Sequence, residues 1–588
     1  MDHSALSFTM NSGIAVTVPK RKVWGDPATN ILGAPSPDGR YLSYVDARTG
    51  DLALFDLAKG ERRRLTSNSA RGASGEFAYF SVISPDSRLV AYAWFNDQKF
   101  YELRTIDLDG LKSRTLYRNE EAGFVQPCAW SPDGKEILTL FFRKDNISQV
   151  ALVSASDGAV RVVKSLNWVY PKKMDFSPDG RFIVYDSFGR NGSPQRDIFV
   201  LSTDGSREIS LVEHPADDLF PLWAPDGIFF ASDRAGTMDL WVIPVAEGKP
   251  QGSPKLVGRD MGRFLPMGIT RSGAYYYGLR SGTTDVYVAE LDLASGKVTG
   301  KPRLASPRFR GGNSSPEWSP DGQYLAYFSR RGSENYGQES RIIVIRSLET
   351  GQERELSPKL AHLERLRWSP DGRFLLVSGS DRRSRGGVYR IDGQTGEVMP
   401  IVQDDDATFR GLESVWRVDG RAILYVHESG STEIRLRELE TNDEKPLYRP
   451  DSPARIHQLA LSPDGRWLAF VLTPRSQPQA EALLVVPSAG GSPRELFRID
   501  GASASGVEWT PDGRYVLLSR GEQNAAEVWR VPVERGQTQQ LVLPANWQGS
   551  ARLHADGRRL AFTAGTAQSE VWVIESLTGK FRSDRRGK

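Results

Sequence analysis

Side chains that commonly carry out chemistry are sparse in this chain of 588 residues. The single cysteine, Cys128, excludes both an internal disulfide and a Cys-based zinc site. It lies two residues before Trp130 in an apolar stretch, so we expect a buried thiol rather than a nucleophile. No two of the six histidines have the i, i+4 or H-x-H spacing of a metal site: His3, His214, His362, His427, His457 and His554.

Motifs of hydrolases and nucleotide-binding enzymes do not occur in the sequence. It contains no G-x-S-x-G elbow, no P-loop and no G-x-G-x-x-G phosphate cradle. Asp404–Asp406 could offer oxygens to Ca²⁺ and the arginine-rich Asp381–Arg385 could meet an anion, but a solvated loop explains both runs. We therefore expect no catalytic residues, no metal and no cofactor.

The elements that position the remaining candidates come from one phrase repeated along the chain. Its clearest form is Trp-Ser-Pro-Asp-Gly at 318–322, followed by an apolar run, and twelve copies occur at intervals of 44 to 50 residues. Pro presets φ, Asp bonds to nearby backbone and Gly accepts positive φ, so each copy predicts a tight turn. The Asp, or its equivalent, stands at 38, 86, 133, 179, 226, 272, 321, 371, 419, 464, 512 and 556.

Each repeat contains the sequence of four strands. A short apolar stretch precedes the turn, and a second strand such as Tyr41–Val45 follows it. A third strand such as Asp239–Val242 and a basic outer strand such as Glu61–Leu65 complete the unit. A period of 40–50 residues is typical of propeller blades and WD-like repeats. The sequence thus predicts an all-β fold of tandem β-propellers with four-stranded antiparallel blades. The repeated Trp is expected to pack between neighbouring blades.

About twelve blades exceed the usual four to eight of one ring, so two rings of six are the simplest partition. We expect a first propeller at 1–296 and a second at 297–588, which ends in a short basic tail. In this arrangement the N-terminal strand Lys20–Trp24 closes the sixth blade, whose own strands are Phe264–Thr270, Ala274–Gly278 and Asp285–Leu291. The outer strand near Lys301–Ala305 then closes the twelfth blade. Seven plus five blades and one open array are the alternatives.

Composition describes an ordinary soluble protein, with 39% hydrophobic and 25% charged residues. A net charge of +3 gives no support to nucleic-acid binding. No stretch approaches the roughly 20 apolar residues of a membrane span. Residues 1–10 have neither the basic nor the apolar region of a signal peptide. The expected location is therefore cytoplasmic, with a periplasmic or extracytoplasmic site as the alternative for a domain of a longer, anchored protein.

The repeats resemble the TolB-like propeller family over roughly residues 30–577. The clearest local match is Ala231–Trp241 beside the recurrent Trp-Ser-Pro-Asp-Gly. The resemblance implies a fold more firmly than a function, because the family includes periplasmic binding proteins, sensor domains and the gating propellers of peptidases. Three copies depart from the motif: Thr270–Gly273, Trp416–Gly420 and Leu553–Gly557.

The expected binding site is the mouth of a central channel, where residues just before the innermost strands converge. His362 and His457, nine and seven residues before their turn Asp, could both lie near it. We expect a non-enzymatic protein- or peptide-binding scaffold or sensor. The alternatives are a gating propeller of a serine-peptidase system and a propeller-type carbohydrate-active enzyme. The aromatic and cationic candidates suit an acidic or extended peptide: Phe124, Gln126, Tyr170, Lys172, Phe220, Arg365, Arg410 and His457.

Overall fold

The computed structural model describes residues 5–9, 15–26, 29–46, 49–67, 76–96, 98, 100–108, 112–120, 122–143, 147–167, 169–189, 195–259, 261–262, 264–281, 284–308, 311–330, 341–360, 362–381, 385–404, 413–428, 432–477, 480–500, 503–521, 527–543, 547–565, 568–575 and 577. Within these ranges the chain forms 51 strands joined by turns, and no helix occurs. The all-β class and the antiparallel four-stranded blades predicted from the repeats are confirmed.

The repeated phrase forms the turn that its residues predict. Ser319 Oγ donates to Asp321 Oδ1 at 2.5 Å and accepts from the backbone N–H of Tyr324 at 2.9 Å. Asp321 Oδ1 also accepts from the backbone N–H of Gln323 at 3.0 Å. Gly322 has φ 68°, a left-handed value that glycine adopts without steric cost. The repeated Asp is therefore a turn residue.

The repeated Trp joins neighbouring sheets. Trp318 Nε1 donates to the backbone carbonyl of Arg552 at 3.0 Å, and Trp509 Nε1 donates to that of Ala460 at 3.0 Å. Each acceptor lies four residues before the turn Asp of its own repeat, Asp556 or Asp464. The side chains of Trp318 and Trp509 are 8% and 6% exposed. The prediction that this residue packs between blades is confirmed.

The described residues divide into two compact units. Unit 1 comprises those within 5–281 and 568–577, and unit 2 those within 284–330 and 341–565. Sheets 1 to 5 of unit 1 are successive antiparallel meanders, with strands β3 (Thr29–Asn30), β4 (Tyr41–Asp46), β5 (Leu52–Asp56), β6 (Glu61–Arg64); β7 (Phe77–Ile83), β8 (Leu89–Phe95), β9 (Tyr101–Asp107), β10 (Ser113–Arg118); β11 (Ala122–Trp130), β12 (Glu136–Arg143), β13 (Ile147–Ser154), β14 (Val160–Asn167); β15 (Met174–Phe176), β16 (Phe182–Phe188), β17 (Arg196–Ser202), β18 (Glu208–Val212); and β19 (Asp218–Ala224), β20 (Gly227–Ser232), β21 (Asp239–Ile243), β24 (Lys255–Gly258). Beside sheet 5 lies a small ribbon of β22 (Val245–Ala246) and β23 (Lys249–Pro250).

Unit 2 repeats the same construction. Its sheets 7 to 11 contain β29 (Asn313–Trp318), β30 (Tyr324–Arg330), β31 (Arg341–Ser347), β32 (Glu353–Leu356); β33 (His362–Trp368), β34 (Phe374–Ser380), β35 (Gly386–Asp392), β36 (Val398–Asp404); β37 (Ser414–Trp416), β38 (Ala422–His427), β39 (Glu433–Glu438), β40 (Glu444–Tyr448); β41 (Ala454–Leu461), β42 (Trp467–Pro474), β43 (Ala480–Pro487), β44 (Arg494–Asp500); and β45 (Ala504–Trp509), β46 (Tyr515–Arg520), β47 (Glu527–Pro532), β48 (Gln539–Leu541).

The last sheet of each unit combines distant parts of the chain. Sheet 6 of unit 1 has the order β25–β26–β51–β2–β1, and sheet 12 of unit 2 has the order β49–β50–β27–β28. Their strands are β25 (Phe264–Ile269), β26 (Tyr275–Ser281), β51 (Gln568–Ile574), β2 (Ala15–Gly25) and β1 (Ala5–Thr9) in sheet 6, and β49 (Trp547–Leu553), β50 (Arg559–Gly565), β27 (Thr284–Asp292) and β28 (Lys297–Leu304) in sheet 12.

This arrangement corrects one part of the predicted sixth blade. We assigned Asp285–Leu291 to it, but that segment pairs with β50, as in Tyr287 opposite Phe562, while β51 pairs with β26. The third strands at 285–288 and 570–573 share one pattern, acidic–apolar–aromatic–apolar, so the sequence does not distinguish them. The six sheets in each unit are compatible with two six-bladed rings. The blade number and the division at residue 296 stay predictions.

The apolar core lies between successive sheets rather than on one face of each. All six residues of β20 are buried, because a strand in the middle of a blade is covered on both faces. Between sheets 2 and 3, for example, Val82 and Leu103 pack against Val125 and Trp130. Some side chains of the innermost strands point away from this core, and they form the candidate site.

Candidate functional site

A bulge recurs in the first strand of several sheets and determines which side chains meet at the centre of each unit. The bulge lies six residues before the turn Asp, and we call that place in the repeat the bulge position. Five non-glycine residues there have positive φ, and each coincides with a register shift. A bulge adds one residue to a strand and re-aims its side chain. The five are Phe80 (43°), Phe220 (55°), Ser315 (54°), Arg365 (47°) and Gln458 (60°).

The centre of unit 1 is apolar apart from one amine and one nearby carboxyl group. Its six bulge positions hold Leu32, Phe80, Pro127, Lys173, Phe220 and Pro266. Lys173, just before β15 in sheet 4, donates from Nζ to the backbone carbonyl of Met267 in sheet 6 at 3.4 Å. The amine therefore reaches past sheet 5 across the centre of the unit.

Burial perturbs both ionisable groups at this centre. It lowers the pKa of Lys173, although the charge of Asp175 opposes the shift. It also raises the pKa of Asp175 to about 6, although that carboxylate accepts backbone N–H groups from Phe176 at 2.9 Å and Trp223 at 3.0 Å. Both groups are thus held in surroundings that disfavour charge.

Half-buried aromatic rings from sheets 2, 3 and 4 surround Phe124, and we call this group the aromatic mouth. The ring centroid of Phe124 lies 4.7 Å from Tyr101, 5.8 Å from Phe80, 5.9 Å from Tyr79 and 6.1 Å from Tyr170. The mouth also includes Phe142, whose centroid is 6.3 Å from that of Tyr170. Edge-to-face and tilted contacts dominate, as expected for aromatic rings that pack on one another.

Four of the predicted site residues come together at the aromatic mouth. Phe124 and Tyr170 are two of its rings, and the Tyr170 hydroxyl donates to the side-chain carbonyl of buried Gln126. Lys172 Nζ lies 5.9 Å from the centroid of Tyr170, and its backbone N–H donates to Asp186 at 3.0 Å. Phe220 lies apart from them at the bulge position of sheet 5 and is 5% exposed.

The sequence analysis missed the remaining rings of the mouth and the central amine. Phe80 was recognisable, since it stands at the same offset from Asp86 as Phe220 from Asp226. Lys173 was missed in favour of Lys172 because the sequence does not show which of two adjacent lysines faces the centre, and one residue of register exchanges the two faces. Tyr79, Tyr101 and Phe142 carried no comparable signal. Strand register and the ends of loops bring them to the mouth, and the repeat specifies neither.

The centre of unit 2 is filled by ion pairs between its own side chains. At the bulge position, Arg365 Nη2 lies 2.5 Å from Glu413 Oε1, and Arg365 Nη1 donates to Gln458 Oε1 at 3.2 Å. Because these residues belong to or adjoin sheets 8, 9 and 10, their side chains converge from different blades. Arg410, also predicted here, lies outside the described residues.

A second layer of ion pairs lies two residues further along the same strands. Glu317 Oε2 accepts from Arg367 at 2.9 Å and lies 2.8 Å from Arg552 Nε. Arg552 Nη1 also pairs with Glu508 at 2.9 Å. Burial raises the pKa of Glu508 even though Arg552 opposes the shift, and burial lowers the pKa of Arg552. This network therefore supplies partners for charges that would be costly to bury alone.

His457 belongs to a separate buried network in unit 2. Its Nε2 lies 3.2 Å from Thr473 Oγ1 and 3.5 Å from Glu481 Oε1, and the residue is 4% exposed. Glu481 also accepts from Ser503 Oγ at 2.8 Å and from the backbone N–H of Ala504 at 2.7 Å. A role for His457 or Arg365 in ligand binding stays a prediction. No group of metal-ligating side chains occurs within the part of the chain that the structure describes.

Cys128 is buried, as expected. Its Sγ lies 3.4 Å from the backbone carbonyl of Gln126, which accepts the thiol proton. Burial raises the pKa of this thiol to about 12, so the nucleophilic thiolate is scarcely formed near neutral pH.

Comparison with known proteins supports the assignment of the repeats. Residues 87–254 match the TolB beta propeller domain, and residues 357–385 match the WD domain, G-beta repeat. The Tol-Pal system protein TolB of Francisella tularensis subsp. mediasiatica is 27% identical over 302 residues, which cover 50% of this chain and 64% of the relative. The chain thus spans somewhat less than two thirds of the length of this relative.

Two further likenesses are to proteins named as a peptidase and a protease. Dipeptidyl-peptidase 5 of Porphyromonas gingivalis is 25% identical over 347 residues, which cover 55% of this chain and 47% of the relative. The tricorn protease is similar in structure with a TM-score of 0.31 and 14% identity, covering 90% of this chain and 59% of that chain.

The expected cytoplasmic location is wrong. The TolB relatives that the chain matches are periplasmic proteins, which supports the periplasmic or extracytoplasmic alternative. The expectation rested on the composition of residues 1–10, and that composition does not determine a compartment. None of the described segments is a helix with the length and apolar character needed to cross a membrane. The match at 87–254 confirms that the repeats resemble those of the TolB-like β-propeller family.

Proposed function

We propose that the chain is a non-enzymatic propeller protein that binds a protein or peptide ligand as a scaffold or sensor. The observation that carries this proposal is the aromatic mouth of unit 1, where six half-buried rings are in mutual contact. Aromatic residues are enriched at the energetic centres of protein interfaces, because they offer a large contact area at a small entropic cost. The mouth is therefore the part of the described chain best suited to receive a ligand.

An extended peptide segment suits the chemistry of this mouth. Ring faces and edges at Phe124 and Tyr101 can accept apolar side chains. Tyr170 adds a hydroxyl and Lys172 adds a cation beside its ring, so polar and acidic groups of a ligand also find partners. Rings that already pack on one another lose little freedom on binding, which favours affinity.

The relatives guide the choice of partner. They are named as proteins of the Tol-Pal system, and by that likeness we infer that the ligand of this chain is also a protein of the cell envelope. This inference is consistent with an extracytoplasmic location. It requires neither nucleic acid nor a membrane span.

The test compares capture of envelope proteins by the intact chain and by two variants. Phe124→Ala removes the ring at the centre of the mouth, and Phe497→Ala removes a half-buried ring stacked 5.9 Å from Trp529 in unit 2. We expect Phe124→Ala to weaken capture of a specific partner about tenfold or more, the effect of losing an interface hot spot. We expect Phe497→Ala to leave capture unchanged. Equal capture by both variants and the unaltered chain would contradict the proposal.

The likeness to dipeptidyl-peptidase 5 favours a second candidate, a propeller that gates access to a peptidase. In that role the chain would be recovered with a peptidase and would change the length of the peptides that the enzyme cleaves. Peptidase activity that is recovered with the unaltered chain and lost with Phe124→Ala would favour this candidate. A captured partner without peptidase activity would favour a scaffold or sensor.

A further inference from the structure

The amine of Lys173 is an isolated polar group among the apolar bulge positions of unit 1. Leu32, Phe80, Pro127, Phe220 and Pro266 occupy the corresponding positions in the other five sheets. No side chain at these five positions can accept a hydrogen bond or carry a charge. Lys173 is therefore the one charged residue among these six positions.

The surrounding protein leaves this amine with little to bond. An ammonium group has three donors, yet the described residues offer Nζ only the carbonyl of Met267, at the long distance of 3.4 Å. They provide no ion pair for Lys173 within 4 Å. Both oxygens of Asp175 already accept backbone N–H groups.

The carboxylate of Asp186 is committed elsewhere as well. Its Oδ1 accepts the backbone N–H groups of Lys172 and Lys173, at 3.0 and 2.9 Å, and its Oδ2 pairs with Arg196 at 3.0 Å. Lys173 is half-buried, and an ammonium group partly removed from water without an anionic partner is unfavourable, so an arriving carboxylate would offset that cost. Burial lowers the pKa of Lys173, so its surroundings disfavour the charged form.

The position of the amine relative to the mouth suggests how a ligand would reach it. Phe124 and Tyr170 both lie nine residues before their turn Asp, whereas Lys173 lies six residues before its own. Tyr170, Lys172 and Lys173 lie in one short segment just before β15, so Lys173 adjoins the rings along the chain. A peptide lying against the rings could therefore reach Lys173 with one of its ends.

We propose that Lys173 binds the C-terminal carboxylate of a peptide segment that enters unit 1 past the aromatic mouth. The proposal rests on the proposed function and specifies the ligand class: a protein or peptide with a free and extended C-terminus. Lys173 Nζ donates to the terminal carboxylate, and the apolar bulge positions contact the last side chains. Phe124, Tyr101 and Tyr170 hold the residues that precede them.

The experiment measures binding of the intact chain to eight-residue peptides fixed through their N-termini. The peptides have random sequences without Asp or Glu, and each is made as a free acid and as a C-terminal amide. A second set of C-terminal amides carries one internal Asp or Glu. The chain is used unaltered, as Lys173→Met, and as Lys135→Met, which replaces a lysine whose side chain is 81% exposed.

We expect the unaltered chain and Lys135→Met to bind selected free acids about tenfold or more tightly than the matched amides, the usual effect of a charge-assisted hydrogen bond. Lys173→Met should bind both forms equally. Binding that ignores the terminal group, a free-acid preference that persists in Lys173→Met, or selection of internal acids alone would overturn the proposal. If no peptide binds in any form, the proposed function fails and the proposal fails with it. Equal binding of acid and amide contradicts only the role of Lys173.

A second measurement follows Lys173 in the unaltered chain and uses the variant for assignment alone. Lysines are dimethylated with ¹³C-formaldehyde, and the resonance of Lys173 is assigned by its loss in Lys173→Met. A bound free-acid peptide should raise the pKa of this amine, because a carboxylate stabilises the ammonium form. An unchanged titration of Lys173 in the presence of a bound free acid would contradict the proposal.

Discussion

The centres of units 1 and 2 occupy the same positions of the repeat and hold opposite kinds of side chain. In unit 1 the bulge positions are apolar except for Lys173, whose amine finds one distant carbonyl. In unit 2 the corresponding strands contribute arginines and glutamates that pair with one another, as Arg552 does with Glu317 and Glu508. The bulge determines the direction in which a side chain points. The residue types determine whether the charged groups at the centre already have partners within the unit.

This difference assigns different roles to the two units. A buried charge needs a partner, and unit 2 supplies its own, so its centre is a structural feature. In unit 1 the amine of Lys173 has few hydrogen-bond acceptors and lies near the half-buried rings of the aromatic mouth. The centre of unit 1 is therefore suited to a ligand. The following predictions test that contrast.

The largest expected effect comes from removing Arg552 in unit 2. Arg552→Met removes a buried arginine and leaves the half-buried Glu508 without its partner, and we expect unit 2 to lose about 3 kcal/mol of unfolding free energy. Hydrogen exchange followed by mass spectrometry reports this loss separately for each unit. Arg552→Met with Glu508→Gln should recover part of it, because the unpaired charge is gone. The exposed Arg181, paired with Glu247, is the control: Arg181→Met should leave the unfolding free energy nearly unchanged, because solvent screens this pair.

A smaller effect is expected in the pH dependence of unit 1. The pKa of Asp175 is about 6 in the folded chain and near 3.8 in the unfolded one, so the folded state binds more protons between these values. Stability therefore falls as pH rises from about 4 to 6, by about 2–3 kcal/mol for this group, and is level above. Burial also raises the pKa of Asp217 and Asp218 in unit 1 to about 6, so Asp175→Asn should reduce the fall in unit 1 by its own share when unfolding is followed at several pH values. A fall of the same size in the variant would contradict the assignment.

At the bulge position of unit 2, Arg365 should matter for stability and not for binding. Arg365→Met removes the partner of Glu413, which is nearly buried, and we expect a loss of about 1–2 kcal/mol in unit 2. Binding of free-acid peptides should be unchanged by this substitution. Weaker peptide binding without a change in unfolding free energy would indicate that the ligand site lies in unit 2.

The smallest effect is expected at Lys172 in the aromatic mouth. Its side chain is partly exposed and lies beside the ring of Tyr170, so Lys172→Met should change unfolding free energy by no more than about 0.5 kcal/mol. A few-fold loss of peptide affinity is expected, since a cation at the rim acts mainly through weak electrostatics. Thermal unfolding and peptide titration on the same samples separate the two quantities. A large loss of stability would show that Lys172 is structural.

The parts of the fold that depend on local sequence were predictable. Turns such as Ser319–Gly322 follow from the conformational preferences of their residues, and the repeated Trp follows from its fixed place beside them. The partner of β27 was not predictable, because the strand at 285–288 has the same pattern as the strand at 570–573. Tertiary pairing, rather than propensity, selects between two such strands.

The candidate site was predictable in type and only partly in detail. Phe124, Gln126 and Tyr170 were identified because they precede innermost strands, where side chains converge. Lys173 was not, because a single sequence does not show which of the adjacent Lys172 and Lys173 faces the centre. In unit 2 a bulge shifts the strand by one residue, so the emphasis fell on His457 whereas the bulge carries Gln458.

The most direct test of the contrast between the two centres is hydrogen exchange of the intact chain with and without a saturating free-acid peptide chosen from the binding experiment. The account predicts slower exchange in β11 and in residues 169–176 of unit 1, with no change in β33 and β41 of unit 2. Protection confined to β33 and β41, or a bound peptide that leaves unit 1 unprotected, would contradict it.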